Sequence, residues 1–152
     1  MSRIKHYRHV SIDEIHSTPF SYSAEIEIPC SADHLFDVFE DAHAWTVWAD
    51  AIKKVQWTSD KPFGVGTTRT VWLHGGRVGY EEFIEWKRGE RMAFVFTKGN
   101  LPVSFFAEDY AVKSLGSDRC RVRWTMALGP TGPGKLALRL LAPVFPMLLK
   151  KC

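Results

Sequence analysis

The stretch LHGGRVGYEEFIEW, residues 73–86, reads as a hairpin turn followed by a β-strand. Glycine reaches the positive φ that tight hairpin turns require, so Gly75-Gly76 marks the reversal. After it, alternate positions are Val78, Tyr80, Glu82, Ile84 and Trp86. Side chains in a strand alternate between its two faces, so these five share one face, and four of them are apolar or aromatic. A two-residue turn pairs Leu73 with Val78, Val71 with Tyr80 and Arg69 with Glu82, and sets Trp72 beside Gly79 on the other face. The expectation is therefore an inward Arg69–Glu82 pair on an apolar surface. Such a pair either settles a buried carboxylate or orients a polar group on a ligand.

Carried forward, the alternation turns Met92, Phe94 and Phe96 inward, then Phe106, Glu108, Tyr110 and Val112, then Cys120, Val122, Trp124 and Met126. Glu108 is a second inward carboxylate. Matching faces across the turns sets it between Met92 and Trp124, neither of which is expected to pair with it. Burial then raises its pKa unless water, His34, Lys135 or a ligand satisfies it. Glu82 and Glu108 lie two strands and about four residues apart, roughly 16 Å, too far for a hydrolytic acid–base pair.

Working back toward the N-terminus, Phe20 to Pro29 alternates as a half-buried strand with Glu25 and Glu27 on its polar face. Ser31 is placed to cap a helix carrying Leu35, Phe36 and Phe39, and Asp41 a second one carrying Trp45 and Trp48. AIKKVQW is a strand, and the last helix is GPGKLALRLLAPVFPMLLKKC, kinked at Pro143 and Pro146. Residues 1–19 are polar and basic, and read as a loosely held arm before a single domain at 20–152. Its His6, His9 and His16 have no acidic or cysteine partner to complete a metal site.

The order strand, two short helices, six strands, long helix defines an α+β domain with its helices to one side of an antiparallel sheet. Over about residues 20–151 the chain resembles the START-like, helix-grip superfamily of polyketide cyclase/dehydrase and lipid-transport domains, which also includes birch-pollen-type allergens. The resemblance rests on EIEIPCSADHLFDVFEDAHAWTVWADAI, FGVGTTRTVW, GYEEFIEWKRGERMAFVF and the terminal amphipathic helix. It implies a curved seven-stranded sheet gripping the last helix around a cavity. The candidate ligand-binding residues are then Arg69, Val71, Tyr80, Glu82, Phe94, Phe96, Phe106, Glu108, Tyr110, Val122, Trp124 and, on the last helix, Leu140. The resemblance carries no catalytic residue over to this chain.

Bulk properties narrow the function classes. The chain has 152 residues, 45% of them hydrophobic and 24% charged, as in an ordinary soluble domain. A net charge of +3 is too small to imply nucleic acid or an anionic membrane, and no apolar run is long enough to span a bilayer. The arginines Arg119, Arg121 and Arg123 fall opposite Glu25 and Glu27 if the first strand lies beside the last, which explains them without nucleic acid. Cys30, Cys120 and Cys152 read as reduced thiols in a cytoplasmic protein. No signal peptide, nucleophile triad, phosphate loop, metal set or cofactor motif is visible. Between Leu136 and Leu149 only Arg139 is charged, so one side of the terminal helix is left for the sheet, a membrane surface or a second subunit. The leading expectation is a binding or transport domain for a lipid, isoprenoid or polyketide. An aromatase/cyclase or dehydrase is the second, and a protein-interaction or growth-regulating module the third.

Overall fold

The computed structural model describes residues 3–130, and the expectations for the terminal helix, Leu140 among them, lie outside these residues. The elements are β1 (Lys5–His6), α1 (Ile12–Ser17), β2 (Ser21–Ile28), α2 (Ala32–Glu40), α3 (Ala42–Trp48), β3 (Ile52–Trp57), β4 (Thr68–Leu73), β5 (Arg77–Lys87), β6 (Arg91–Gly99), β7 (Val103–Ser114) and β8 (Cys120–Pro130). Seven strands form one antiparallel sheet in the order β2-β8-β7-β6-β5-β4-β3. The α+β architecture read from the sequence is present. The caps are as expected: Ser31 accepts from the His34 amide, and Asp41 from the amides of His43 and Ala44.

The sheet carries apolar side chains on both faces. On the inner face, Phe36 and Phe39 of α2 and Trp45 of α3 pack against Phe83, Phe94, Tyr110, Val122 and Trp124. On the outer face a second cluster joins Val10 and Ile15 to Val95, Phe105, Ala107 and Ala127. Alternation along β6 and β7 explains how adjacent residues such as Phe105 and Phe106 serve opposite clusters.

The N-terminal segment is not a loose arm. Pairing between β6 and β7 stops at Val95 and Ala107, and β1 takes up the free edge, with Lys5 opposite Gly99 and His6 opposite Lys98. The Tyr7 hydroxyl donates to the Leu101 carbonyl at 3.2 Å and accepts from the Leu101 amide at 2.7 Å, and its ring joins the inner cluster. Ser11 caps α1, whose Ile15 is fully buried. What hid this docking is its short apolar pattern, Val10, Ile12 and Ile15, inside a segment that is otherwise polar.

The β4–β5 hairpin departs from the expected register by one residue. Leu73 pairs with Arg77, so the loop is His74-Gly75-Gly76, with both glycines at positive φ. One added loop residue turns β5 over relative to β4. Gly79, Glu81 and Phe83 therefore face inward, and Arg69 pairs with Glu81 in place of Glu82. A bulge between Phe83 and Glu85 reverses the parity again, which returns Trp86 to the inner cluster. Trp72 pairs with Val78, and Gly79 is covered by the Phe96 ring, which a Cβ there would meet at 2.3 Å. On the opposite margin, Glu25 pairs with Arg123 and Glu27 with Arg121, as the charge pattern implies. The expectation of reduced thiols fails at Cys30, which is disulfide-bonded, while Cys120 is free and buried.

Candidate functional site

Arg69 is the centre of the inner face. It projects from β4, is 2% exposed, and its Nε donates to Glu81 Oε1 at 2.5 Å. Four rings surround the guanidinium, with Trp45 at 4.5 Å, Phe94 at 4.9 Å, Trp57 at 5.2 Å and Phe83 at 5.3 Å from its central carbon. Away from water such cation–π contacts are individually worth up to about 2 kcal/mol.

The cage is built by the end of α2. A helix leaves its last carbonyls without partners inside the helix. Here the Phe39 carbonyl accepts from the Trp45 indole and the Glu40 carbonyl from the Trp57 indole, each at 2.9 Å. The bonds that complete the helix end also fix two of the rings around Arg69. One feature of the cage is left over. Arg69 Nη1 is buried and has no hydrogen-bond partner among the described residues. A charged donor in that position is costly unless something accepts from it.

Glu108, part-buried on β7, supplies the second polar centre. Its Oε1 accepts from the Trp124 indole at 2.6 Å and from the Tyr110 hydroxyl at 3.1 Å. The sequence expectation that Trp124 could not pair with it is corrected: the indole N–H reaches diagonally across from β8. Its direct neighbours are Phe94 and Met126, so the expected contact with Met92 is displaced by two residues. Burial raises the Glu108 pKa, against the opposing pull of the Trp124 hydrogen bond and the Arg69 charge. Burial also pushes the Glu81 carboxyl up to about 7, despite Arg69, with the Glu108 charge adding to the rise. The Tyr110 hydroxyl is raised well above its usual value, again by burial and by the charge of Glu108.

The corrected register changes the spacing between the carboxylates. Glu81 pairs with Phe96 and Glu108 with Phe94, both on β6. They lie two strands and two residues apart, roughly 12 Å between backbones, with Arg69 acting electrostatically on both.

Of the residues expected to line a site, Arg69, Val71, Phe94, Phe96, Phe106, Tyr110, Val122 and Trp124 are buried in or beside the inner cluster, and Glu108 joins them by its hydrogen bonds. Tyr80 and Glu82 are not there. Tyr80 lies under the Lys98 ammonium, 4.7 Å from its ring centre, and Glu82 pairs with Thr68 on the outward parity of the hairpin. The residues missed are Glu81, Phe83, Trp45 and Trp57. Glu81 is adjacent to Glu82, and only the loop length decides which of the two turns in.

Among the described residues no cluster of three or more metal-ligating side chains occurs, and no helix is long and apolar enough to cross a membrane.

Comparison with known proteins agrees with this architecture. Residues 19–150 match the family described as polyketide cyclase/dehydrase and lipid transport, and the chain belongs to it. An uncharacterized protein of Mycobacterium tuberculosis is 40% identical over 143 residues, covering 93% of this chain and 85% of the relative. Among solved structures, a START superfamily protein from Mycobacterium smegmatis superposes with a TM-score of 0.70 at 14% identity, covering 84% of this chain and 90% of that one. The Zhui aromatase/cyclase from a Streptomyces species superposes with a TM-score of 0.65 at 11% identity, covering 84% and 85%. At these identities the likeness is one of fold.

Proposed function

We propose that this member of the polyketide cyclase/dehydrase and lipid transport family binds a hydrophobic small molecule against the inner face of its sheet, with an oxygen of the ligand accepting from Arg69. The observation that carries the reading is the buried Nη1 of Arg69, without a hydrogen-bond partner among the described residues, inside an aromatic surround. An apolar body with one or two oxygens fits that surface: the rings of Phe94, Phe96, Phe106 and Trp124 take the body, and Arg69 and Glu108 take the oxygens. A raised Glu108 pKa favours the neutral acid, which can donate to a carbonyl or hydroxyl oxygen.

Native mass spectrometry of protein purified from its own host, followed by lipid extraction, tests this directly. A non-covalent adduct that extracts into organic solvent is expected. An environment-sensitive apolar dye gives a second measurement. Val122→Trp, at an inner position, should abolish dye binding while the chain remains folded. Ala111→Trp, on the other parity of the sheet, should leave it unchanged. Equal effects from the two variants would refute the inner-face site.

Catalysis by an aromatase/cyclase or dehydrase is the second reading, favoured by a raised-pKa acid close to an arginine. The two readings part at Glu108→Gln. A binding protein should hold its ligand nearly as well as wild type, whereas an enzyme using Glu108 for proton transfer should lose turnover by about a hundredfold or more.

A further inference from the structure

We propose that the outer face carries a separate site for a phosphoryl group borne on a small organic tail, in the pocket between the β4–β5 loop and the start of the N-terminal segment. This pocket has a volume of about 380 Å³, and Ile4, Lys53, Trp72, His74, Arg77 and Tyr80 are among the residues lining it. That size suits a small metabolite rather than a macromolecule.

Charge is the first argument. Lys53, His74 and Arg77 line the pocket, and no carboxylate does. Lys54 sits 4.9 Å from the centre of the Trp72 ring and Lys98 sits 4.7 Å from that of Tyr80, which brings two more cations to the same surface. None of Lys53, Lys54 and Lys98 forms an ion pair among the described residues, where the lysines that do are Lys61 and Lys87. Several arginines elsewhere on the surface meet carboxylates among the described residues. Arg121 meets Glu25 and Glu27, Arg8 meets Glu14, and Arg88 meets Asp33, Asp37 and Glu40.

Preorganisation is the second argument. Asn100, 5% exposed, is spent on the loop: its Oδ1 accepts from the Val78 amide at 2.8 Å and its Nδ2 donates to the Gly76 carbonyl at 2.9 Å. Arg77 Nη1 donates to the Asn100 carbonyl at 2.6 Å, which fixes the guanidinium at the pocket wall. At Gly75 and Gly76 an added Cβ would meet no atom within 4 Å, so the loop side of the pocket is open to a ligand.

The three lining nitrogen-bearing side chains come from three places, the β3 bulge, the loop and the first residue of β5. A phosphoryl group, with three acceptor oxygens and up to two charges, answers such a basic, donor-rich lining better than a carboxylate does. Trp72, Tyr80, Val78 and Ile4 supply the apolar contact for its tail. The shared chemistry fits either a free phosphate ester or the headgroup of a phosphatidic-acid-like lipid.

Calorimetry with phenyl phosphate, and cosedimentation with phosphatidic acid or phosphatidylcholine vesicles, tests the site and separates its sources. Phenyl phosphate should bind saturably, with amide shifts at Gly75, Gly76 and Asn100. The exposed-site double variant Lys53→Gln with His74→Gln should weaken it about tenfold or more. Arg121→Gln, on the far margin of the sheet, should leave it unchanged. Retention on phosphatidic acid vesicles alone, lost in the double variant, assigns a lipid headgroup. Phenyl phosphate binding without vesicle binding assigns a free ester. If neither phenyl phosphate nor vesicles bind, or if Arg121→Gln weakens binding as much as the double variant, the proposal is overturned.

Discussion

Both faces of the sheet hold an arginine against a buried carboxylate, and they finish the job differently. On the outer face, Arg91 engages Asp109 with two parallel bonds, Nε to Oδ1 at 2.9 Å and Nη2 to Oδ2 at 2.6 Å. His16 of α1 closes on the same Oδ2 at 2.6 Å, and Asp109 is 1% exposed beneath it. On the inner face, Arg69 reaches Glu81 through Nε, and its buried Nη1 has no partner among the described residues. The outer pair is a completed fastener between a helix and a sheet. The inner one is, among the described residues, an incomplete set of bonds in an aromatic setting.

The comparison breaks most sharply at Arg69. Arg69→Ala leaves Glu81 buried without its cation and should cost about 3–5 kcal/mol in denaturant unfolding. Arg69→Leu combined with Glu81→Gln should recover most of that loss, because it removes both charges together. A wild-type unfolding midpoint for Arg69→Ala would mean the inner pair is solvated, and the contrast between the faces would disappear.

The pH dependence comes next. Glu81 and Glu108 both have folded-state pKa values raised by burial, Glu81 to about 7. A raised acid binds more protons folded than unfolded, so stability is fullest below the unfolded value and falls as pH rises through the folded one. Unfolding free energy should therefore decline from about pH 4.5 toward pH 7, given a model carboxyl pKa near 4.3. Glu108→Gln should flatten part of the slope. NMR titration of the two side-chain carboxyls should find both above the ordinary range, and a normal value for Glu108 would remove it from the inner site.

Asp109→Asn sharpens the contrast from the other side. It breaks a charge pair of the same chemistry, but Arg91 is about one-third exposed and turns to water. A loss of about 1–2 kcal/mol is expected, smaller than at Arg69, with dye binding on the inner face unaffected. Glu25→Gln, on the exposed ladder opposite Arg123, sets the baseline and should change stability by less than about 0.5 kcal/mol.

Legibility from sequence follows the regularity of the strands. In β7 and β8, where pairing runs unbroken from Phe106–Leu128 to Ser114–Cys120, simple alternation placed Glu108, Tyr110, Val122 and Trp124 on the correct face. In β5 it failed, because one extra loop residue and one bulge each reverse parity, and neither leaves a mark in residue type. Gly75-Gly76 serves a two- or a three-residue loop equally well. The adjacent glutamates then turned that single-residue error into the wrong partner for Arg69. The aromatic surround escaped for another reason: Trp45 and Trp57 reach Arg69 through hydrogen bonds to a helix end, a tertiary arrangement that no local period encodes.

The docked N-terminal segment has a consequence in time. Tyr7 bonds to Leu101, 94 residues later, and His16 to Asp109, 93 residues later. During synthesis this segment leaves the ribosome well before its partners, and the edge it completes does not exist until β6 and β7 have been made. Val10 and Ile15 remain without their cover through most of translation, and closing so long a loop belongs to the late, slow steps of folding. A segment made early is thus among the last to find its place.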